Sequence, residues 1–565
     1  MRMLYCLSNL RYSLFTPVLD FFYRKSMGMT SRRNFLRSIG AAAVAASLPV
    51  AAVRAVQTTT PTPSEAPRRK PKNIVIIIAD DLGYGDLGCY GAVPGISPFI
   101  DRYVQTGVRF TDAHATASTC TPSRYAMFTG AYAWRKPGTG ILPGDAALII
   151  NHNGSTLPKA MKAAGMATGA VGKWHLGMGK GPGKTDWNGL IEPNANSIGF
   201  DETFLMAATA DRVPCVYVEN GRIANLDPND PIKIKYGFGY PFNVTGKDNY
   251  PGEPDGILNR KDLKMDWSCG HNQAVVNGVG RIGYMTGGKK ALWNDEEMAD
   301  VFVDRAQRFI KKHKDEPFFL YLGTNDIHVP RIPHPRFRGK TPFGVRGDAI
   351  LQFDDSVRRV VETLRAEGLE QDTLVIISSD NGPVLDDGYK DRAVELVGNH
   401  RPSGPWTGGK CSHHEGGTRV PFIAVWPGVV PAGRVCNAPL SQVDFAATFS
   451  ALKGLPVQPN AFPDSFDQSA LFYNPDAPSV RDHLIGQDFR ISLRVGTMKY
   501  IYPGKWNGLP TDADPLTGQL YDLTVDPEER YNLARKRPRI AKQMAARLLR
   551  AKTLGYTRPG YTPAK

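Results

Sequence analysis

A cysteine at position 120 has neighbours that suit chemistry on an anion. It begins the run Cys120-Thr121-Pro122-Ser123-Arg124. Proline is favoured in the first turn of a helix, so Pro122 predicts that Cys120 lies at a helix N-terminus, where free N–H groups and the helix dipole attract anions. A lone cysteine outside such a run is more often a small buried apolar residue. The run therefore makes Cys120 a candidate for chemistry rather than for packing alone.

Polar side chains that can bind a cation or carry a proton follow three apolar segments. Singly, an acid in such a place is more often a turn residue or a helix cap. Three coincidences in one chain favour a shared site. The residues are Asp80 and Asp81 after residues 73–79, Asp380 and Asn381 after residues 373–377, and Asp326 and His328 after residues 318–322.

The apolar segments predict the element that positions these residues. Residues 73–79, 318–322 and 373–377 are continuous apolar runs, which are typical of strands covered on both faces. Helical patterns at 296–312 and 349–367 lie between them. The alternation predicts an α/β fold with a largely parallel sheet, and such sheets bind ligands beyond the carboxyl ends of their strands.

The last hundred residues have a different pattern. Residues 482–502 and 519–523 predict short strands, and residues 538–554 predict a closing amphipathic helix. These elements indicate a smaller α+β subdomain. The predicted division of the chain is a leader at 1–55, a linker at 56–72, a catalytic domain at 73–455 and the C-terminal subdomain at 456–565.

The run around Cys120 resembles the signature of the type I sulfatases, in which Cys-x-Pro-Ser-Arg is followed after three residues by an apolar residue, threonine and glycine. The resemblance covers roughly residues 70–555 and implies an alkaline-phosphatase-like fold, with a large mixed, mostly parallel sheet sandwiched by helices and a short antiparallel sheet in the C-terminal subdomain. The similar segments are residues 120–130, 165–177, 409–410, 415–421, 520–523 and 526–528.

The resemblance also implies the cofactors. In that family a separate maturation enzyme oxidises the cysteine to formylglycine, whose hydrate supplies the nucleophilic hydroxyl and can release sulfate by returning to the aldehyde. Three carboxylates and an amide suit Ca²⁺ better than zinc. The implied metal ligands are Asp80, Asp81, Asp380 and Asn381, with an oxygen of the modified Cys120.

Five further residues acquire catalytic roles from the resemblance. Arg124 would hold the formylglycine, and Lys173 and Lys410 would bind sulfate oxygens as point charges. His328 would protonate the leaving alcohol, with Lys410 as a possible helper, and His175 would take the proton that lets sulfate leave. Both histidines are expected to have pKa values near the working pH. Without the family context, either histidine would more often be a structural hydrogen-bonding residue.

The net charge of +15 does not indicate a nucleic-acid-binding protein. Residues 1–55 hold eight Lys and Arg and one acid, so removing them leaves +8 on the rest. That mild surplus is typical of an ordinary solvated surface and would suit a polyanionic substrate.

The leader reads as an export signal. Arg32 and Arg33 precede an apolar run of small residues at 39–52, a pattern typical of twin-arginine signals. The run is too short for a stable membrane span. A chance arginine pair before an alanine-rich helix is the alternative. The signal predicts a periplasmic or extracellular protein that passes through the twin-arginine translocon. The seven cysteines include no close pair, so no disulfide framework is implied.

Three functions remain open at this level. The first is a sulfatase for sulfated glycans, with a 6-O-sulfate of galactose or N-acetylgalactosamine implied by resemblance alone. The second is a phosphonate or phosphate monoester hydrolase of the same superfamily, and the third is a non-catalytic glycan-binding relative. Residues that line the pocket mouth in the first case, or belong to scaffold loops, are Thr209, Asp211, Arg212 and His334.

Overall fold

The computed structural model describes residues 68–237, 260–268, 271–504 and 513–563. Its strands, in chain order, are β1 (Asn73–Ala79), β2 (Val108–Phe110), β3 (Ala113–His114), β4 (Ala167–Lys173), β5 (Glu202–Met206), β6 (Tyr217–Glu219), β7 (Arg222–Ile223), β8 (Lys233–Lys235), β9 (Val275–Val276), β10 (Val279–Gly280), β11 (Tyr284–Thr286), β12 (Phe318–Gly323), β13 (Thr373–Ser379), β14 (Phe422–Val425), β15 (Arg434–Cys436), β16 (Leu440–Ser441), β17 (Leu484–Gln487), β18 (Ile491–Val495), β19 (Met498–Ile501) and β20 (Gln519–Asp522).

The helices of the same residues alternate with these strands over much of the chain. They are α1 (Pro98–Tyr103), α2 (Cys120–Thr129), α3 (Leu157–Ala163), α4 (Met298–Lys312), α5 (Gly344–Ala366), α6 (Ala393–Leu396), α7 (Glu415–Thr418), α8 (Phe445–Leu452), α9 (Ala470–Tyr473) and α10 (Pro538–Leu554).

Strand β1 lies in the middle of a ten-stranded sheet, and every one of its residues is buried. Its neighbours β12 and β13 run parallel to it, and β4 and β5 continue the parallel part beyond β12. Strands β14, β2 and β15 extend one side of the sheet, where β14 pairs antiparallel with β13 and β2, and β15 pairs parallel with β2. Strands β6 and β7 extend the other side with antiparallel pairings. Parallel strands end at the same edge, so the residues after β1, β4, β12 and β13 meet there.

The helices cover the sheet with their apolar faces. Helix α4 packs on β4, β12 and α5, and its buried face includes Phe302, Ala306 and Ile310 at helical spacing. Asp300 in its first turn and two lysines in its last turn complement the helix dipole. A second group, formed by α2, α3 and α8, packs together. The predicted α/β fold with a large, mostly parallel sheet is confirmed.

The C-terminal elements form a small sheet with its own core. Strands β17 to β20 pair antiparallel in chain order, and α10 packs on β19. The core includes Leu493, Leu520 and Leu548, and it also contains Ala126 of α2. The helix that begins at Cys120 is therefore held by this second core as well as by the main one.

The predicted strands at 73–79, 318–322 and 373–377 are present, and the helix predicted at 349–367 begins five residues earlier, at Gly344. Residues 70–565 group into one compact unit, and the boundary between 455 and 456 stays a prediction. The predicted twin-arginine leader and most of the predicted linker, residues 1–67, lie outside the described residues. Among the described helices, none has the length and apolar character needed to cross a membrane.

Candidate active site

Helix α2 presents Cys120 as its first residue. The preceding Thr119 is extended, and Gly130 ends the helix in the left-handed conformation with φ 59°. Cys120 is 1% exposed, and burial raises the pKa of its thiol despite the nearby Lys173. Its Sγ lies 3.0 Å from Nδ1 of His175. The predicted helix N-terminus is present, and an imidazole faces the cysteine directly.

His175 is fixed in one tautomer by its second ring nitrogen. Nε2 lies 2.9 Å from the Leu142 carbonyl oxygen, which can only accept a hydrogen bond, so Nε2 carries the proton. The lone pair of Nδ1 then points at Cys120. The backbone of His175 is left-handed with φ 56°, and its carbonyl accepts a 2.9 Å hydrogen bond from the Thr121 hydroxyl. This arrangement suits a base for a proton on residue 120.

Four oxygen-bearing side chains meet at the ends of β1 and β13. The register pairs Ala79 with Ser379, so the next residues, Asp80 and Asp380, lie side by side. The Asp81 N–H approaches Asp380 Oδ1 at 3.4 Å, and the Asn381 amide donates to Asp81 Oδ1 at 2.7 Å. All four side chains are buried. Burial raises the pKa of Asp80 well above the usual carboxyl range, and the Lys173 ammonium only partly opposes it.

This cluster has the properties of a cation site. Asp80 Oδ1 and Asn381 Oδ1 are buried, and neither has a hydrogen-bond partner among the described residues. Ligand atoms of Asp80, Asp81 and His328 lie within 4.8 Å of one another. Buried oxygens without a donor are costly unless a ligand satisfies them. The mainly oxygen donor set fits a hard divalent cation.

Three cationic side chains surround the carboxylates. Arg124 donates through Nε to Asp380 Oδ2 at 2.8 Å, and its Nη1 donates to the Lys173 carbonyl at 2.9 Å. The Lys173 ammonium donates to Asp80. Lys410 donates to Asp81 Oδ2 at 2.9 Å. Each predicted anion-binding residue therefore contacts, in this structure, a predicted metal ligand.

His328 lies on the other side of Asp81. Its Nδ1 is 2.6 Å from the Val329 carbonyl oxygen, so Nδ1 carries a proton, and Nε2 is 3.8 Å from Asp81 Oδ2. Burial and the nearby lysines lower the pKa of both His328 and His175 well below the usual range. The expectation that both titrate near the working pH is therefore wrong for this state, because buried imidazoles beside ammonium groups lose their protons.

Two partners of these residues were missed by sequence reasoning. Asp387 accepts a 2.6 Å hydrogen bond from Lys410, and the hydroxyl of Tyr321 accepts one from Arg124. The acidic pair at 386–387, six residues after Asp380, was a usable signal. Tyr321 gave none, because it looks like any other aromatic residue of a buried strand.

The predicted sugar contacts separate into two places. Thr209 and Arg212 both donate to the Asp211 carboxylate, which also lies 2.9 Å from His271 Nε2. Asp211 is buried and acts electrostatically on His328, so this group adjoins the site. His334 instead lies 4.0 Å from Asp300, in a partly exposed ion-pair network. His271 was a further residue that the sequence reading did not single out.

The chain is similar to known proteins in sequence and in fold. A family model described as Sulfatase matches residues 72–455, so the chain belongs to the sulfatase family. An N-acetylgalactosamine-6-O-sulfatase of Bacteroides thetaiotaomicron is 46% identical over 494 residues, covering 86% of this chain and 94% of the relative. Human arylsulfatase A is 31% identical, covering 82% and 83% of the two chains.

Solved structures give the same result. A B. thetaiotaomicron 6S-sulfatase from work on glycosaminoglycan metabolism superposes with a TM-score of 0.78 and 45% identity, covering 86% of this chain and 99% of that one. A structure solved with a neocarrahexaose, at 23% identity and TM-score 0.60, shares the fold. The protein is a hydrolase of sulfate esters, so the sulfatase is confirmed among the three open functions.

Proposed function

We propose that this protein removes 6-O-sulfate from galactose or N-acetylgalactosamine units of sulfated glycans. The observation that carries the chemistry is the convergence of Cys120 with His175 at a helix N-terminus beside buried oxygens that lack partners. The sugar is suggested by the 46% identical relative named for N-acetylgalactosamine 6-O-sulfate.

The proposed cofactors are one Ca²⁺ and a formylglycine made from Cys120 by a maturation enzyme. Asp80, Asp81, Asp380 and Asn381 would hold the cation, with an oxygen of residue 120. When bound, the cation would polarise a sulfate oxygen and lower the pKa of the formylglycine hydroxyl that supplies the nucleophile.

The chain's own side chains would bind sulfate and move protons. Lys173 and Lys410 carry ammonium groups beside the carboxylates, where each can turn to a sulfate oxygen. Arg124 holds Asp380 and offsets the negative charge of the cluster. Nδ1 of His175 would accept the proton from residue 120. His328 would hold a proton at Nε2 for the leaving oxygen, because an anionic sulfate nearby favours the imidazolium that burial disfavours.

The substrate pocket is proposed to lie beside Asp211. This carboxylate is fixed by Thr209, Arg212 and His271, and burial, which raises its pKa, is outweighed by Arg212 and His271, so that it stays ionised. A fixed buried carboxylate can accept hydrogen bonds from sugar hydroxyls and reject analogues that lack them.

The test is sulfate release from defined sugars. Galactose and N-acetylgalactosamine carrying sulfate at O6, with their O4-sulfated isomers as matched controls, would be compared for wild type and Cys120→Ala. We expect release from the O6 isomers by wild type alone. Preference for the O4 isomers would overturn the proposed substrate, and equal release by Cys120→Ala would overturn the proposed nucleophile.

A second experiment tests the formylglycine. Mass spectrometry of the tryptic peptide 110–124 should show an aldehyde, and a free thiol in active enzyme would contradict the proposed cofactor.

We also propose that the chain is exported through the twin-arginine translocon to the periplasm or beyond. Replacing Arg32 and Arg33 together by lysine should retain the activity in the cytoplasmic fraction. Unchanged export of that variant would contradict the signal.

A further inference from the structure

A turn in the C-terminal subdomain holds a glutamate in an uncommon backbone conformation. The Asp526 carboxylate accepts hydrogen bonds from the N–H groups of Arg530 and Tyr531, at 3.0 and 2.9 Å, and closes the turn. Glu529, inside the turn, has φ 54°. A non-glycine residue in the left-handed region is strained, and such strain persists only where the surroundings fix it.

The turn directs the side chain of Glu529 into the interior of the protein. It is 0% exposed and enters the junction with the catalytic domain. Its Oε2 accepts a 2.6 Å hydrogen bond from the Glu415 N–H, and its Oε1 lies 3.0 Å from Lys499 Nζ and 3.3 Å from His414 Nδ1. Burial acts to raise the pKa of Glu529, but Lys499 and His414 outweigh it and the pKa is lowered. Glu529 is therefore buried and ionised, and it holds the backbone of Glu415 by a hydrogen bond.

The segment that Glu529 holds at its end also carries Lys410. We call residues 407–415 the lysine loop. The Lys410 N–H donates to the Pro383 carbonyl at 2.8 Å, just after the proposed metal ligand Asn381. The loop packs so closely there that a Cβ on Gly409 would lie 2.3 Å from the Pro383 oxygen. The next N–H, of Cys411, donates at 2.8 Å to Ser118, two residues before Cys120.

The C-terminal turn supplies two further fixed points of the loop. The Thr407 hydroxyl donates to the Glu528 carbonyl at 2.7 Å, at the beginning of the loop. Glu529 binds the Glu415 N–H at its end. The lysine loop connects these two contacts to the active site, so we expect a shift at either end to move Lys410.

We propose that Glu529 is a positioning residue that sets the place of Lys410 for the sulfate group. This inference rests on the proposed role of Lys410 in sulfate binding. It assigns a function to the segment 526–529, which the catalytic chemistry does not otherwise use. Small misplacements of a positioned charge can cost about 100-fold in rate.

The experiment compares Glu529→Ala with Leu548→Ala. The latter removes side-chain volume from the C-terminal core, where Leu548 is 1% exposed, without touching the lysine loop. Kinetics per folded molecule would be measured with the sulfate ester that wild type cleaves fastest. We expect Glu529→Ala to raise KM about 10-fold and lower kcat/KM about 100-fold, and Leu548→Ala to lower thermal stability with KM unchanged. Equal kinetics for the two variants would overturn the proposal.

Two further variants keep the outcome decisive. If Glu529→Ala does not fold, Thr407→Val removes only the hydrogen bond to Glu528 and should raise KM about threefold with a wild-type melting temperature. An unchanged KM would refute the positioning of the lysine loop by the C-terminal turn.

The second variant combines Glu529→Ala with Lys410→Ala. In this double variant, Glu529→Ala should add little to the effect of Lys410→Ala, because the effects of coupled residues are not additive. Full activity of Lys410→Ala would overturn the proposed role of Lys410 itself, whereas an impaired Lys410→Ala with additive effects would overturn only the positioning.

Discussion

Two buried clusters of charged residues in the described part of the chain differ in how their carboxylates are paired. The first, which we call the strand-end cluster, contains Asp80, Asp81, Asp380, Asn381, Arg124, Lys173 and Lys410. The second, the junction cluster, contains Asp112, Glu415, Glu529, Arg419, Arg494 and Lys499, between the main sheet and the C-terminal sheet.

The pairing differs sharply between them. In the junction cluster, Asp112 accepts two hydrogen bonds of 2.6 Å from Arg494 and lies 2.9 Å from Arg419. In the strand-end cluster, Asp80 Oδ1 and Asn381 Oδ1 have no donor among the described residues. Charges that satisfy one another hold a structure together, whereas a cluster left short of donors is organised around a ligand. Substitutions in the first cluster should therefore lower activity, and those in the second should lower stability, except at Glu529, which also positions the lysine loop.

The largest effect is expected at the nucleophile. Cys120→Ala should lower sulfate release by at least about 10³-fold, because loss of a nucleophile removes the covalent route. Sulfate release by purified enzyme checks this, and circular dichroism should show an unchanged fold. Residual activity within tenfold of wild type would contradict the role of Cys120.

Asp80→Asn should affect cation binding. We expect activity to fall by at least about 100-fold, since even residues that only support metal ligands cost 10- to 100-fold. Calcium at about 100 times its Kd should raise the unfolding free energy of chelator-treated wild type by about 2.7 kcal/mol and leave the variant unchanged. Sulfate release measures the activity, and thermal unfolding with and without calcium measures the stabilisation of each protein. Equal stabilisation of the two proteins would place the cation elsewhere.

Asp112→Ala tests the junction cluster. Removing this carboxylate leaves Arg419 and Arg494 with one partner fewer in a buried setting, so we expect a loss of about 3 kcal/mol in unfolding free energy. The KM of the folded fraction should stay at the wild-type value. Asp476→Ala is the matched control, because its exposed pair with Arg434 should contribute less than about 1 kcal/mol. Chemical denaturation compares them, and equal losses would contradict the distinction.

The smallest expected effect is a loss of folding stability at low pH. Burial would raise the pKa of Glu415, but Lys499 and Arg419 outweigh it, so the folded-state pKa lies below the ordinary value of 4.5. The stability from this group is present above pH 4.5 and is lost as the pH falls below it toward the folded-state pKa. Wild type should lose on the order of 2 kcal/mol more than Glu415→Gln between pH 5 and pH 3. Parallel pH profiles of the melting temperature would refute this.

The sequence was sufficient for the centre of the sheet but not for its edges. Strands β1, β12 and β13 are continuous apolar runs, so their burial and parallel pairing follow from composition and the intervening helices. Strand β14 pairs antiparallel with β13, and nothing in residues 422–425 distinguishes that direction from a parallel one. The direction depends on where the chain returns, which is a property of the whole fold.

The candidate site divides in the same way. Residues at strand ends, such as Asp80 and Asp380, could be grouped because parallel strands end together. The contact of Glu529 with Lys499 could not be predicted, because Glu529 lies in a loop whose path depends on distant contacts. The acidic pair at 386–387 was a signal for Asp387, but its pairing with Lys410 also depends on the path of a loop. The low pKa of His328 also needed the structure, since it depends on burial and on lysines from other elements.

The 1% exposure of Cys120 has a consequence for biosynthesis. Its helix is enclosed by both cores, so another protein can reach the thiol only while the chain is still incompletely folded. If the residue is converted as proposed, the fraction of chains that carry formylglycine depends on two competing rates. These are the rate at which the maturation enzyme modifies the nascent chain and the rate at which folding buries Cys120. Conditions that speed folding would then produce more protein and less enzyme, with identical structures everywhere except at one atom group.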